Sequence, residues 1–353
     1  MKVENMMKYI VFGIAFILSV ACSNEVEQEN NHFFLTEDLS SDSDILVQLT
    51  DSLEKDPNNI HLWIQKGNIC KDRLNFSCAL DAGAKAFVID STNIEARQLY
   101  AWSLINKPNA PVTDVELAKR HFQYVLSLQP RDPKTLVDLA NTYSLTGDFR
   151  TAIKYINDAL RIDEYYRDGY VLKGSIYKTL ENYDLALSSY QTALQIDPNF
   201  FIGHLNTGWL LTEMENHTLA LEYYRSAVDL LPENINALYG VAKSLQDLER
   251  YDEALAGYRA LLEIEPTFYI PYFNQGYIKQ YYQHELDSAI YYYEQLLRIN
   301  PEYIGAWYQL GEVYFTQKKY TSAADCYVKA LEIDEDFTPA RTAAERLRHV
   351  KIE

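Results

Sequence analysis

The chain contains few glycine and proline residues: 13 and 11 among 353, about 7% together, where the usual share is about 12%. This shortage of turn-forming residues argues against a loop-rich β sandwich and against low-complexity sequence. Only four cysteines are present, which excludes a small scaffold held together by many disulfides. Basic residues are also in deficit, with 32 Lys and Arg against 50 Asp and Glu and a net charge of −18. Such an acidic chain repels phosphate backbones, so we expect no nucleic-acid partner.

The apolar segment near the amino terminus is too short to span a membrane. Tyr9–Val20 is a run of 12 residues, whereas a transmembrane helix needs roughly 20. The run follows a short polar start that contains Lys2 and Lys8, and its length is typical of the apolar part of a signal peptide. The small residue Ala21 and then Cys22 follow at once.

The five residues Leu18-Ser19-Val20-Ala21-Cys22 resemble the signal of a bacterial lipoprotein. In that family the chain is cut before the cysteine, whose thiol and new amino group are acylated. The resemblance therefore implies a signal peptide at 1–21, a lipidated Cys22, with palmitate among its acyl chains, and a polar tether over 22–42. The sequence departs from the usual pattern because Ser19 stands where leucine is usual. The alternatives are an ordinary secretory signal, or an uncleaved anchor, with an incidental cysteine.

The same resemblance implies a location at the cell envelope. Two or more acyl chains anchor a protein stably to a membrane. Ser23 follows the cysteine, as in lipoproteins that are sorted to the outer membrane, and the acidic residues Glu25, Glu27 and Glu29 resemble the tethers of surface-exported lipoproteins. We expect an exported protein that its lipid holds in the outer membrane, on the periplasmic face or at the cell surface.

A period of about 34 residues runs through the rest of the chain. Small residues recur with spacings of 34, 39, 34, 34, 34, 34 and 35 residues, at Gly67, Ala101, Ala140, Gly174, Gly208, Ala242, Gly276 and Gly311. A second series consists of alanines, at Ala79, Ala118, Ala152, Ala186, Ala220, Ala254, Ala289 and Ala323. Prolines mark the ends of five units, at Pro130, Pro198, Pro232, Pro266 and Pro301. A fixed period of this length predicts a repeat architecture.

Each repeat is interpreted as a pair of helices. In the repeat at 133–166, apolar residues recur at three- and four-residue steps, with Leu136, Leu139 and Tyr143 in the first half and Ile156 in the second. Proline ends the second helix because it lacks an amide hydrogen and clashes with the preceding turn. One pair cannot bury its own apolar face, so the pairs are expected to stack.

The repeat pattern resembles the tetratricopeptide repeat family, whose signature is W-x₂-L-G-x₂-Y followed by A-x₃-F/Y. The last repeat matches this signature at Trp307, Leu310, Gly311, Tyr314, Ala323 and Tyr327. The resemblance implies an all-α fold, an α-solenoid that winds as a right-handed superhelix. We count eight units within 60–337: 60–93, 94–132, 133–166, 167–200, 201–234, 235–268, 269–303 and 304–337.

Helices are also predicted on either side of the array. Residues 43–59 are interpreted as an N-terminal half-repeat helix, and residues 338–353 as a C-terminal capping helix. The basic residues of the latter, among them Arg341 and Arg346, are interpreted as the solvated outer face of a cap. The alternative is a site for an acidic partner.

Motifs that carry chemistry are missing from the sequence. It has no Gly-rich phosphate loop, no H-E-x-x-H and no paired C-x-x-C, and its seven histidines are scattered. We therefore expect no enzymatic activity, no metal, no cofactor and no small-molecule substrate. Cys70 and Cys78 lie on the two helices of the first unit, where they either form a disulfide in an oxidising periplasm or stay as two small packed thiols. Cys326 is expected to be packed in a second helix.

The family places its partners in a groove, because the first helices of successive units line the concave face. Carried over by register, the lining positions are polar in the first four units and aromatic in the last four. Tyr and Trp provide contact area at a low entropy cost, so we predict that the partner-binding residues are Trp209, Tyr239, Lys243, Phe273, Asn274, Tyr277 and Tyr308. The alternative for many tyrosines, such as Tyr143 and Tyr177, is that they only pack the solenoid.

Together these features predict a non-catalytic lipoprotein that acts as a protein–protein interaction scaffold at the bacterial cell envelope. It would bind a protein or an extended peptide segment along its concave groove and reach the membrane through its lipid anchor. The alternative is a permanent structural subunit of an envelope assembly, secretion, pilus or motility machine. Both stay open on the sequence alone.

Overall fold

The structure is a computed structural model, and it describes residues 39–73 and 75–349. The predicted signal peptide at 1–21, the lipidation site Cys22 and most of the predicted tether lie outside the described residues. Throughout 39–73 and 75–349 all regular secondary structure is α-helical and no strand occurs, so the predicted all-α class is confirmed. No helix in these ranges is both long enough and apolar enough to cross a membrane.

The chain divides into two compact units, with the boundary between Asn234 and Ile235. The described part of the first unit contains eleven helices: α1 Leu39–Lys55, α2 Ile60–Asp72, α3 Phe76–Ile89, α4 Ile94–Asn106, α5 Val112–Leu128, α6 Pro133–Leu145, α7 Phe149–Ile162, α8 Arg167–Thr179, α9 Tyr183–Ile196, α10 Phe201–Glu213 and α11 His217–Leu230. After α1 they form helix pairs, and each pair packs against the next within the unit.

The described part of the second unit contains three further pairs and a last helix: α12 Ile235–Asp247, α13 Tyr251–Ile264, α14 Ile270–Tyr281, α15 Leu286–Ile299, α16 Ile304–Thr316, α17 Tyr320–Ile333 and α18 Thr338–Arg348. Within each unit the stacked pairs form an α-solenoid. The predicted pairs start within one residue of the observed first helices of both units.

Helix α1 differs from the prediction at its start. It begins at Leu39, four residues before the predicted Ser43, so the helical part of the chain extends into the segment 22–42 that was predicted to be tether. The apolar side chains Leu49 and Leu53 are buried, and Leu53 packs with Trp63 of α2. The helix therefore covers the apolar end of the first pair, as a half-repeat should.

Short turns with one residue in the left-handed region join the two helices of most pairs. Glu181 and Glu215 have φ angles of 56° and 58°, and Gly147 occupies the equivalent position with φ of 79°. The next residue then caps the second helix, as Asn182 does when its side-chain oxygen accepts a hydrogen bond from the backbone amide of Leu185. A residue with a Cβ atom pays about 1–2 kcal/mol for this conformation, which glycine avoids.

The rings of tyrosines on the second helices pack closely against the small residues of the first helices. A Cβ atom placed on Gly276 would stand 2.7 Å from Cε1 of Tyr293, and one on Gly311 would stand 2.5 Å from Cε1 of Tyr327. Both tyrosine rings are completely buried. The glycines are thus required by the close approach of the two helices, which fixes where the first helix of each pair lies.

The hydroxyl groups of buried tyrosines on the second helices donate hydrogen bonds to glutamine side chains of the first helices. Tyr258 donates to the Oε1 atom of Gln246 at 2.8 Å, and Tyr293 donates to the Oε1 atom of Gln280 at 2.8 Å. A buried phenol that lacks a partner would destabilise the fold, so these bonds fix the rotation of each first helix about its axis.

Candidate partner-binding surface

The first helices of the second unit carry a cluster of partly exposed tyrosines. We define the tyrosine surface as Tyr277 and Tyr281 on α14, Tyr282 directly after it, and Tyr308 on α16. The ring centroids of Tyr277 and Tyr281 are 4.6 Å apart, and Tyr282 stacks on Tyr251 at 4.2 Å. Tyr281 is 41% exposed, so the cluster offers aromatic area to solvent.

Contacts with neighbouring side chains hold these tyrosines in place. The Tyr281 hydroxyl donates to the Oε1 atom of Gln309 at 2.9 Å, and the Tyr308 ring packs edge-on against Phe337 at 5.9 Å. Burial raises the pKa of Tyr277 and of Tyr308 to about 12. Their phenol groups therefore stay protonated at physiological pH and can act as neutral hydrogen-bond donors and acceptors.

A basic side chain from the last helix borders the tyrosine surface. Arg346 of α18 lies over the ring of Phe315 at 3.9 Å, and its Nη2 atom donates to the Oε1 atom of Glu312 at 2.5 Å. Glu312 also accepts a 2.5 Å hydrogen bond from the Tyr327 hydroxyl. Arg346 is exposed, in keeping with the interpretation of a solvated cap, but its guanidinium also packs on an aromatic ring beside the cluster.

The structure also corrects the prediction for two members of the predicted set. Phe273 is 4% exposed, because its ring packs against Tyr293 at 5.8 Å and Tyr303 at 5.4 Å. Asn274 is 7% exposed, and its Nδ2 atom donates to the hydroxyls of Tyr239 and Tyr258 at 3.2 and 3.1 Å. Both side chains are core elements and cannot anchor a partner on the open surface.

Two other predicted residues of the second unit are only partly buried. Tyr239 on α12 packs edge-on against Phe268 at 5.6 Å. Lys243, one turn further on, forms an ion pair with Asp247. The charge of Lys243 is therefore already matched within its own helix, and its contribution to a partner would be smaller than that of the tyrosines.

In the first unit, Trp209 lies on α10 and is partly buried. The first helices of this unit also carry polar side chains. Gln98 of α4 donates to the Oδ2 atom of Asp132 at 3.0 Å and to the Oγ1 atom of Thr135 at 2.7 Å. Both amide hydrogens of Gln98 are therefore used within the protein.

A small polar cavity of about 200 Å³ lies in the same region, lined by Lys71, Gln98 and Lys134 among others. Burial lowers the pKa of Lys71, and the ammonium group of Lys134 lowers it further. Burial also raises the pKa of Asp138 to about 6, against the effect of both lysines. The Oδ2 atom of Asp138 is buried and has no hydrogen-bond partner among the described residues.

The structure settles the pairing of two cysteines that the spacing left open. Cys70 on α2 and Cys78 on α3 form a disulfide with their Cα atoms 5.7 Å apart. Cys326 on α17 is a buried free thiol. Within residues 39–73 and 75–349, no group of three or more His, Cys, Asp or Glu side chains is placed to hold a metal ion.

Comparisons with known proteins agree with this architecture. Models of the tetratricopeptide repeat match three stretches of the chain, at 133–166, 168–200 and 305–337. No curated protein matches the chain.

Solved structures resemble the chain at low sequence identity, which shows the fold alone. The Cut9–Hcn1 hetero-tetramer of the APC/C is 18% identical with a TM-score of 0.61, over 88% of this chain and 60% of that chain. The present chain thus spans less than two thirds of that relative. The C-terminal part of a repeat protein from Cytophaga hutchinsonii is 18% identical with a TM-score of 0.57, over 69% and 98% of the two chains. PilW, a type IV pilus biogenesis factor, is 19% identical with a TM-score of 0.52, over 60% and 97%.

Proposed function

Because the chain belongs to the tetratricopeptide repeat family, we propose that it is a non-catalytic protein–protein interaction scaffold. Its partner is a protein segment that lies along the first helices of the second unit. The observation that carries the proposal is the tyrosine surface, where three exposed or partly exposed rings, Tyr277, Tyr281 and Tyr308, stand on two successive first helices.

The chemistry of this surface suits a protein partner. Tyrosine and arginine are enriched among the residues that carry most of the energy of an interface. Tyr281 already has its ring and its hydroxyl in fixed contacts, so binding would freeze little additional side-chain freedom. An extended segment covers roughly 3.3 Å per residue, and a dozen residues would span several helix pairs.

We also propose that the scaffold is held at the cell envelope. The residues around Cys22 resemble a lipoprotein signal, and acyl chains on that cysteine would hold the protein at the outer membrane. The disulfide between Cys70 and Cys78 supports export, because disulfides persist in oxidising compartments such as the periplasm. We further propose that the partner is recruited to envelope assembly or remodelling.

The binding surface is tested with paired alanine variants. The tagged full-length protein is used to capture partners from membrane extracts, and the captured proteins are identified by mass spectrometry. Affinity for the partner found is then measured for Tyr277→Ala and Tyr281→Ala. Each should weaken binding by about 2 kcal/mol or more if it is an interface anchor. Tyr291→Ala is the matched control, because Tyr291 is a 56% exposed tyrosine on the second helix α15.

The control should bind like the unaltered protein. If partner capture survives both substitutions on α14 but is lost with Tyr291→Ala, the partner sits on the second helices. The permanent structural subunit then replaces the groove-binding scaffold as the better description.

The anchor is tested separately by metabolic labelling with a palmitate analogue. The unaltered protein should take up the label, and Cys22→Ala should not, since the thiol that is acylated is gone. Label that persists in Cys22→Ala contradicts the lipoprotein proposal. Fractionation alone would not decide the matter, because the apolar run Tyr9–Val20 could retain an uncut precursor in the inner membrane.

A further inference from the structure

A cleft that shares no residue with the tyrosine surface opens between α15, α16 and α17. Its volume is about 490 Å³. Trp307, Leu310 and Tyr314 of α16 line it, and the indole nitrogen of Trp307 donates to the carbonyl oxygen of Pro301 at 2.8 Å, which fixes the ring. Cys326 of α17 also lines the cleft and is 4% exposed, so its thiol lies at the floor.

Two carboxylates stand beside the apolar side chains of this cleft. Glu294 of α15 and Asp325 of α17 both line it, and Glu294 accepts a hydrogen bond from the Tyr314 hydroxyl at 3.4 Å. Burial raises the pKa of the Cys326 thiol to about 12, and the negative charges of Asp325 and Glu294 add to the rise. The negative charges of both carboxylates therefore reach the thiol group at the floor of the cleft.

The charge of the cleft is unbalanced. Neither Glu294 nor Asp325 forms an ion pair with any described residue. The exposed guanidinium of Arg298 also borders the cleft, which leaves one positive charge against two negative ones. The whole chain carries a net charge of −18 and attracts basic molecules from a distance.

We propose that this cleft binds a lysine side chain presented by a partner protein. The aliphatic stem lies against Trp307 and Leu310, and the ammonium group lies between Glu294 and Asp325. Long basic side chains bury their stems in this way while the charge finds a polar partner, and a tryptophan face adds cation–π attraction. Lysine suits the site better than arginine, because its compact ammonium group can donate to one oxygen of each carboxylate, whereas the planar guanidinium prefers both oxygens of a single carboxylate.

Cys326 allows a direct test by thiol–disulfide exchange on the full-length chain in detergent. Three disulfide reagents of similar size are compared, each in equilibrium with its own thiol: cystamine, whose arms carry ammonium groups, the neutral bis(2-hydroxyethyl) disulfide, and the anionic dithiodiglycolate. Peptide mapping by mass spectrometry then gives the modified fraction of Cys326. Cystamine should be favoured over the neutral reagent by about fivefold or more, and dithiodiglycolate should be the least favoured.

Matched double variants assign the preference to the cleft. Glu294→Gln with Asp325→Asn should abolish the preference for cystamine. Glu263→Gln with Glu335→Gln removes the same charge at two exposed positions outside the cleft and should preserve it. Equal modification by all three reagents, or an equal loss of preference in both double variants, overturns the proposal.

A competition experiment ties the site to a lysine side chain. Nα-acetyl-lysinamide should lower the fraction of Cys326 that cystamine captures by about twofold at a concentration near its dissociation constant. Nα-acetyl-norleucinamide has the same aliphatic stem without the ammonium group and should leave the fraction unchanged. Competition by both compounds to the same extent would show that the carboxylates play no part, which also overturns the proposal.

Discussion

Replacing Gly276 with alanine tests the helix crossing that places the tyrosine surface. The added Cβ atom would stand 2.7 Å from Cε1, 2.9 Å from Cδ1 and 3.0 Å from Cζ of Tyr293. The Tyr293 ring is completely buried, and its hydroxyl donates to Gln280. The ring therefore cannot move aside without losing a buried hydrogen bond, so α14 and α15 must separate instead.

Two opposing effects determine how much Gly276→Ala changes the free energy of unfolding. Extra volume in a well-packed core costs about 1–3 kcal/mol, whereas alanine stabilises a helix interior over glycine by about 0.5–1 kcal/mol. We expect a net destabilisation of about 1–2 kcal/mol at Gly276→Ala. Because each pair in a repeat array contacts mainly its neighbours, the loss should be local to the pair of α14 and α15.

Hydrogen exchange measured by mass spectrometry resolves such a local loss. Amides of α14 and α15 that exchange through opening of this pair should exchange roughly tenfold faster in Gly276→Ala, while those of α2 and α3 should keep their protection. Protection of α14 that equals or exceeds that of the unaltered protein would refute the steric argument.

The pair at 235–268 offers an internal control because its glycine at the helix crossing lies on the second helix rather than the first. Here the first helix has Ala242, and the second helix has Gly257, whose added Cβ would meet the Cβ of Ala242 at 3.0 Å. Gly257→Ala should destabilise this pair, and Ala242→Gly in the same chain should relieve the contact. The double exchange is therefore expected to cost less than the sum of the two single changes.

Three further predictions concern other parts of the chain. Cys78→Ser removes a cross-link between positions eight residues apart and should lower the unfolding free energy by about 2.5 kcal/mol, measured by urea unfolding against the same protein with the disulfide intact. Burial raises the pKa of Asp138 from 3.8 to about 6, so its ionised form disfavours the folded state and its contribution to stability falls as the pH rises from about 4 to 6. Asp138→Asn should remove this fall, so that urea unfolding shows a gain over the unaltered protein that is larger at pH 7 than at pH 4. Deletion of 167–200 in phase should leave a folded, shorter array, and a random-coil circular dichroism spectrum would count against the repeat register.

The helix pairs could be predicted because the 34-residue period marks the same contact in every repeat. Small residues such as Gly276 and Gly311 stand where two helices cross closely, and this requirement is visible in the sequence itself. The start of α1 at Leu39 was missed because the residues before Ser43 belong to no repeat, and an isolated amphipathic helix has no periodic marker of its first turn.

The burial of Phe273 and Asn274 could not be read from register. The position of a residue in the repeat fixes the direction of its side chain but not the size of the neighbouring side chains. Large neighbours, Tyr303 against Phe273 and the hydroxyls of Tyr239 and Tyr258 against Asn274, close over these two positions. Long-range contacts of this kind depend on three helices at once.

The places of Tyr282 and of the Arg346 guanidinium were not predicted, for related reasons. The unit 269–303 is one residue longer than its neighbours. The turn after α14 therefore differs from the other turns, and in it Tyr282 stacks on Tyr251, a contact that the 34-residue register does not predict. Arg346 was assigned to a solvated cap, although it occupies in α18 the position that Glu312 occupies in α16. Treating the last helix as the first helix of another repeat would have found it.

Photo-crosslinking in living cells shows whether a partner contacts the tyrosine surface. The photoreactive residue p-benzoylphenylalanine is placed at position 281 on α14 in one strain and at position 291 on α15 in another, since both native tyrosines are exposed. After irradiation, we expect a discrete adduct of higher mass from position 281 and none from position 291. An adduct from position 291 with none from position 281 would contradict it.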